Sequence, residues 1–258
     1  MLVVIDCGNT NIVFAVYDTD RLAGQWRTVT EIEKTSDDYG VWLGHIMQRD
    51  DISLEDIDAA IVSSVVPSKN RVLSSMCRDL FGVDARFISD EDIDIGIKVA
   101  MQDPRNVGDD RLVNAVAAYE KYKGPLIIVD FGTATTFDVL DDEGSYIGGV
   151  IAPGINLSME ALYNATALLP KIPVENPGSA PVVGTTTVAA MHSGVFWGYI
   201  GLIEGLISRI KSEQTKTPTV VATGGLAPLF AEATIAIEHI DIDLTLRGLL
   251  AVHKRNVI

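Results

Sequence analysis

The stretch LVVIDCGNTNIVFAVYDTDRLAGQW at 2–26 is echoed by LIIVDFGTATTFDVLDDEGSYIGGV at 126–150, with Asp6 matching Asp130 and Gly8 matching Gly132. Each copy reads as a buried apolar strand ending in Asp, a glycine turn, an alternating second strand, an Asp-rich turn and a third strand. The Asp-rich turns are Asp18 to Asp20 and Asp141 to Gly144. The copies begin almost half a chain length apart, so the pattern implies duplication of one domain.

Working outward, each hairpin is followed by helices and strands in alternation. The first half predicts a helix over 36–49, a strand over 57–65 and a helix from Pro67 that stops before Gly82. The second predicts helices over 156–164 and 186–211 and a strand over 218–223. Antiparallel hairpins with later parallel strands and crossover helices mean an α/β fold with mixed sheets. Tyr122-Lys123-Gly124-Pro125 is the expected hinge, giving domains 1–120 and 121–258 with a cleft between them.

The chain has 258 residues, 47% of them hydrophobic, enough for a sizeable core. Its net charge of -15 argues against a nucleic-acid surface, which needs cations to neutralise phosphates. Cys7 and Cys77 form no CxxC pair, which fits a reducing, cytoplasmic compartment. Asp6 interrupts the opening apolar run, so no signal peptide is expected. The apolar run at 194–203 stops at Glu204, well short of the ~20 residues a membrane span requires.

No GxxxxGK[ST] and no GxGxxG occurs. DCGNTN (6–11) and DFGTATT (130–136) offer another way to hold phosphate: a glycine turn tight enough to exclude a Cβ, with amides and Thr or Asn groups facing outward. A lone Asp-x-Gly is an ordinary hairpin end. Two in equivalent positions suit a nucleotide clamp in a shared cleft. Carboxylates there would repel phosphate unless cations intervene, so Asp6 and Asp130 are expected to act through metal ions. TGGLAPL (223–229) is a third turn, and a flat base could lie on Gly224 and Gly225.

The three turns resemble the two phosphate motifs and the adenosine motif of the superfamily containing acetate and sugar kinases, Hsp70 and actin. Within it, DCGNT (6–10), GDDR (108–111), DFGTATTFD (130–138), GGVIAPG (148–154) and GTTT (184–187), in that order, resemble the type III pantothenate kinase family. The resemblance implies two duplicated ribonuclease H-like, actin-like ATPase domains. It also implies ATP-dependent phosphorylation of pantothenate to 4'-phosphopantothenate, the first step of coenzyme A biosynthesis. ATP would meet Asp6, Gly8, Asn9, Thr10, Asn11, Val13, Gly132, Thr133, Gly224 and Gly225. Mg²⁺ would accompany ATP at Asp6, and Asp130 would hold a monovalent cation, potassium or ammonium.

On the acceptor side, VGDDRLVNAVAAYEKY predicts a helix burying Leu112, Val113, Val116, Ala117 and Tyr119 on one face. Asp109 at its start reads as a helix cap. By resemblance, Asp110 is the general base and Arg111 helps to hold pantothenate, with Met101, Gly108, Asp109 and Thr187 in the same substrate-binding group. The family has a small residue where this chain has Asp109 and commonly a tyrosine where it has Met101. Thr187 is also placed to cap the helix that follows.

Along that helix Gly194, Gly198, Gly201 and Gly205 form a stripe that suits close helix packing, within the chain or in the homodimer the resemblance implies. Cys7 is expected to point into the core, and His45, His192, His239 and His253 receive no chemistry. The alternative is a non-catalytic regulatory or accessory protein that keeps the fold. Loss of Asp110 or Arg111 would favour it, and both are present.

Overall fold

The computed structural model describes residues 1–257 and divides the chain into two units. The first contains Met1–Ile97, Gln102–Ala117 and Asp243–Ile258; the second contains Lys98–Met101 and Ala118–Ile242.

In the first unit, β1 (Leu2–Cys7), β2 (Asn11–Asp18) and β3 (Arg21–Val29) form an antiparallel meander. Helix α1 (Ser36–Arg49) starts at a capping box in which Thr35 and Asp38 exchange hydrogen bonds. Strand β4 (Ala59–Ser64) lies parallel to β1. Helix α2 (Pro67–Phe81) opens on Pro67 and ends at Gly82, whose φ of 72° is left-handed. A short β5 (Ala85–Phe87) completes the sheet order β3-β2-β1-β4-β5, and α3 (Asp109–Tyr122) follows.

The strand period of two assigns the faces of this sheet. Val3, Ile5 and Cys7 of β1, with Ala60 and Val62 of β4, join the core under α1 and α2. Leu2, Val4 and Ile61 join the opposite core, which contains Val113 and Val116 of α3. Asp6 and Ser63 continue this second alternation, so both belong to the α3 face.

In the second unit, β6 (Leu126–Phe131), β7 (Ala134–Leu140) and β8 (Tyr146–Pro153) repeat the meander. Helices α4 (Ile155–Asn164) and α5 (Thr187–Glu213) precede β9 (Thr219–Thr223), which lies parallel to β6. Short α6 (Ala227–Ala231) and β10 (His239–Ile240) give the order β10-β9-β6-β7-β8. The two sheets therefore have the same connectivity. The duplication extends to register: Asp6 lies beside Ser63, and Asp130 lies beside Thr223.

The division differs from the expected 1–120 and 121–258. A C-terminal helix missed in the sequence, α7 (Leu244–Asn256), places Leu246, Leu249, Leu250 and Val252 in the α3-side core of the first unit. Its Gly248 approaches α3 so closely that an added Cβ would overlap the Val113 carbonyl oxygen. Lys98–Met101 belongs to the second unit because Ala100 N–H donates to Tyr146 O at 2.8 Å, and Tyr146 N–H to Lys98 O at 2.8 Å. Helix α3 is also buried over all of Leu112–Ala118, not along one face as its pattern suggested.

Among the described residues, no helix is long and apolar enough to cross a membrane. The glycine stripe of α5 does not serve packing within the chain: a Cβ built at Gly194, Gly198 or Gly201 meets nothing within 4 Å.

Candidate functional site

The first turn links β1 to β2. Gly8 N–H donates to Asn11 O at 3.0 Å and closes it, with Asn9 and Thr10 exposed. Neither Gly8 nor Gly132 takes a positive φ, and a Cβ would lie 3.3 Å from Asn11 O at one and 3.4 Å from Ala134 O at the other. The turns are therefore less demanding of glycine than their sequence suggested. Cys7 is buried as expected, and burial pushes its thiol up to about 11, out of reach of ionisation at neutral pH. Val13 packs, partly buried, on the α3-side core.

At the end of β4 two adjacent serines face different partners. Ser63, fully buried, donates its hydroxyl to Oδ1 of Asp6 at 3.2 Å. The Ser64 N–H donates to Oδ2 of Asp109 at 3.2 Å. One strand end thus contacts both the carboxylate at the end of β1 and the start of α3. Asp109 was expected to act as a helix cap; its bond to β4 gives it a bridging role instead. Gly108 belongs to the same junction, where a Cβ would come 2.6 Å from Oδ1 of Asp110 and 3.3 Å from Val65.

Burial pushes the Asp109 carboxyl up to about 6; the Ser64 N–H opposes this, and the charges of Asp110 and Asp90 add to it. Asp110 is raised by burial too, against the Arg111 amide, which donates to Oδ1 at 2.8 Å, and the Arg111 charge. Asp110 is thus a half-buried carboxylate that feels the Arg111 charge.

In the second unit, Asp130 occupies the place equivalent to Asp6, with Gly132 and Thr133 exposed in the turn. Gly154 N–H donates to Thr133 O at 3.2 Å, and a Cβ on Gly154 would overlap that carbonyl. The third turn is the most constrained of the three. Gly224 has φ +88°, and a Cβ there would lie 2.7 Å from both Oδ1 of Asp130 and the Phe131 carbonyl oxygen. Both oxygens therefore pack directly against the Gly224 backbone, leaving no space for a side chain there. Gly225 is exposed and open.

Thr186, not Thr187, caps α5, its Oγ1 accepting from Ala189 N at 3.2 Å. Thr187 instead lines a cavity of about 550 Å³ with Leu162, Leu169, Ala190, Met191, Gly194 and Val195. Met101 is exposed just beyond the segment paired with Tyr146. Among the described residues no three His, Cys, Asp or Glu side chains converge on a metal site. Asp6 fits the kind of magnesium site in which one or two carboxylates act together with substrate phosphates.

Ser63 and Ser64 were missed in the sequence. Their place follows from strand pairing, in which AAIVSS ends beside Asp6 as TVVAT ends beside Asp130.

Comparison with known proteins identifies the family and the fold. A family model described as type III pantothenate kinase matches residues 2–209. A type III pantothenate kinase of Paramagnetospirillum magneticum is 56% identical over 256 residues, covering 99% of this chain and 98% of that protein. One of Rhodospirillum rubrum is 54% identical, covering 99% of each. Among solved structures, an inorganic polyphosphate/ATP-glucomannokinase from Arthrobacter aligns with TM-score 0.51 at 15% identity over 99% of each chain, a likeness of fold. The fold is thus that of the sugar kinases and actin-like ATPases, duplicated within one chain. With ordered motifs and full-length similarity together, the chain belongs to the type III pantothenate kinase family.

Proposed function

We propose that the chain phosphorylates pantothenate from ATP with Asp110 as general base. Asp110 accepts the proton of the pantothenate hydroxyl as that oxygen bonds to the γ-phosphorus; the bond from phosphorus to the β–γ bridging oxygen breaks, and ADP leaves. Positioning and charge neutralisation are most of what such an enzyme contributes. The observation that carries this reading is the β4 end, where Ser63 holds Asp6 and Ser64 holds Asp109, next to Asp110.

In this reading the amides around Asn9, Thr10, Asn11 and Thr133 receive phosphate oxygens, beside Gly8, Val13 and Gly132. Gly224 and Gly225 give the adenine a surface without side chains. Mg²⁺, bound with ATP at Asp6, supplies neutralisation of phosphate charge. Asp130, at the end of β6, would hold a potassium or ammonium ion. Arg111 and Thr187 hold pantothenate, with Met101, Gly108 and Asp109 around it. Thr187 is available because Thr186 does the capping.

We further propose that two copies associate through α5, whose glycine face is open within the chain. The cation assignment is tested by replacing potassium with sodium. Turnover should fall in the parent protein and be insensitive to the exchange in Asp130→Asn; equal turnover of the parent in both salts would refute it.

A further inference from the structure

Thr30, the residue immediately after β3, belongs to none of the motifs above, yet it makes two bonds to the first phosphate turn. Its hydroxyl donates to Gly8 O at 2.7 Å, and its N–H donates to Thr10 O at 2.9 Å. Both turn carbonyls therefore face Thr30. The peptide bonds are trans, so the N–H at the other end of each peptide unit points the opposite way. Those are the amides of Asn9 and Asn11. Two bonds from one residue thus set the direction in which the turn presents its donors.

Thr30 is itself held from behind. Lys69 of α2, only 1% exposed, donates from Nζ to Ile32 O and Lys34 O, each at 2.9 Å. Its ammonium also lies 5.5 Å from the centre of the Tyr39 ring. A buried cation is costly unless its donors are satisfied, and here carbonyl oxygens and a ring face satisfy them. The consequence is a clamp on the loop directly after Thr30. Tyr39 adds to it through a 3.4 Å contact between its hydroxyl and the Glu31 N–H. The Lys69 charge also acts on the Cys7 thiol, next to Gly8.

We infer that Thr30 is a positioning residue for ATP: with its loop clamped by Lys69, it orients the Gly8 and Thr10 peptides so that the Asn9 and Asn11 amides face the phosphates. This rests on the reading of the turn as a phosphate site. It predicts a separation of substrates that a merely structural threonine would not give.

The experiment is steady-state kinetics of Thr30→Val, Thr30→Ser and Asp6→Asn with ATP and pantothenate varied separately. Thr30→Val keeps the N–H bond and loses the hydroxyl. It should lower kcat/KM for ATP about tenfold, the scale of one hydrogen bond, and leave the KM for pantothenate within about twofold. Thr30→Ser should restore the parent value. If Asp6→Asn abolishes ATP use while Thr30→Val matches the parent, the inference about Thr30 is overturned and the phosphate turn stands. If Asp6→Asn also leaves ATP kinetics unchanged, both fall. An equal loss toward both substrates, or no rescue by serine, would likewise overturn the positioning role.

Discussion

The backbone N–H of Ser64 donates to Oδ2 of Asp109 at 3.2 Å, tying the start of α3 to the end of β4. Of the two adjacent carboxylates, Asp109 is tied across to another element, whereas Asp110 accepts from the amide of its own neighbour Arg111, and Asp110 is the one assigned to chemistry. Asp110→Asn should lose phosphotransfer by about 10²–10⁴-fold, the usual contribution of general base catalysis. Asp109→Asn keeps an oxygen for the Ser64 amide and should stay within about tenfold of the parent. Turnover numbers for the two variants decide the matter; the reverse order would move the base to Asp109.

The raised Asp109 carboxyl has a stability consequence of definite sign. Its folded value of about 6 exceeds the ordinary 3.8, so the folded state holds the proton more tightly. Charging the group therefore opposes folding. The penalty is absent below the unfolded value, grows through the interval between the two values and is complete above about 6. Asp109→Asn removes it. The gain in unfolding free energy should be roughly 1 kcal/mol larger at pH 8 than at pH 5. Denaturant titrations at both pH values measure this, and an equal gain at each would contradict the assignment.

Gly224 and Gly225 make a matched pair for testing the third turn. Gly224→Ala forces a Cβ onto a backbone at φ +88°, 2.7 Å from Oδ1 of Asp130. The expected loss is about 1–3 kcal/mol of stability, with displacement of the Asp130 side chain. Gly225→Ala meets nothing within 4 Å and should change stability by no more than about 0.5 kcal/mol. Thermal melts of the two variants should differ accordingly; similar melting points would remove the strain argument.

The open glycine face of α5 gives a test of assembly. Leucine at Gly198 starts from an open position, since a Cβ there meets nothing within 4 Å. It would obstruct a second copy on that face. Sedimentation should report a dimer for the parent and a monomer for Gly198→Leu, with little change in unfolding temperature. A variant that remained dimeric would place the interface elsewhere.

The duplicated strand-turn-strand pattern was legible because apolar alternation and strand-end aspartates are local features. The helix over Ser36–Arg49 and the one opening on Pro67 were legible for the same reason, through caps and turn residues. Helix α7 was missed despite its apolar residues, and its place depends on contacts with β1 and α3, far away in the chain. Non-local pairing also decided the site. Nothing local distinguishes Ser63 and Ser64 from other strand-end serines until β4 is set beside β1. Gly224 read in sequence only as a surface for a flat base and became the most constrained of the three turns once Asp130 and Phe131 were seen against it. Conversely, Thr187 had an ordinary explanation as a helix cap, which the bond from Ala189 to Thr186 removed.

The most direct test of the account is ADP release by the purified protein with ATP, Mg²⁺ and potassium, measured with and without pantothenate and repeated for Asp110→Asn. The account predicts release that depends on pantothenate and is lost in Asp110→Asn. Release indifferent to pantothenate, or equal in the parent and Asp110→Asn, would contradict it.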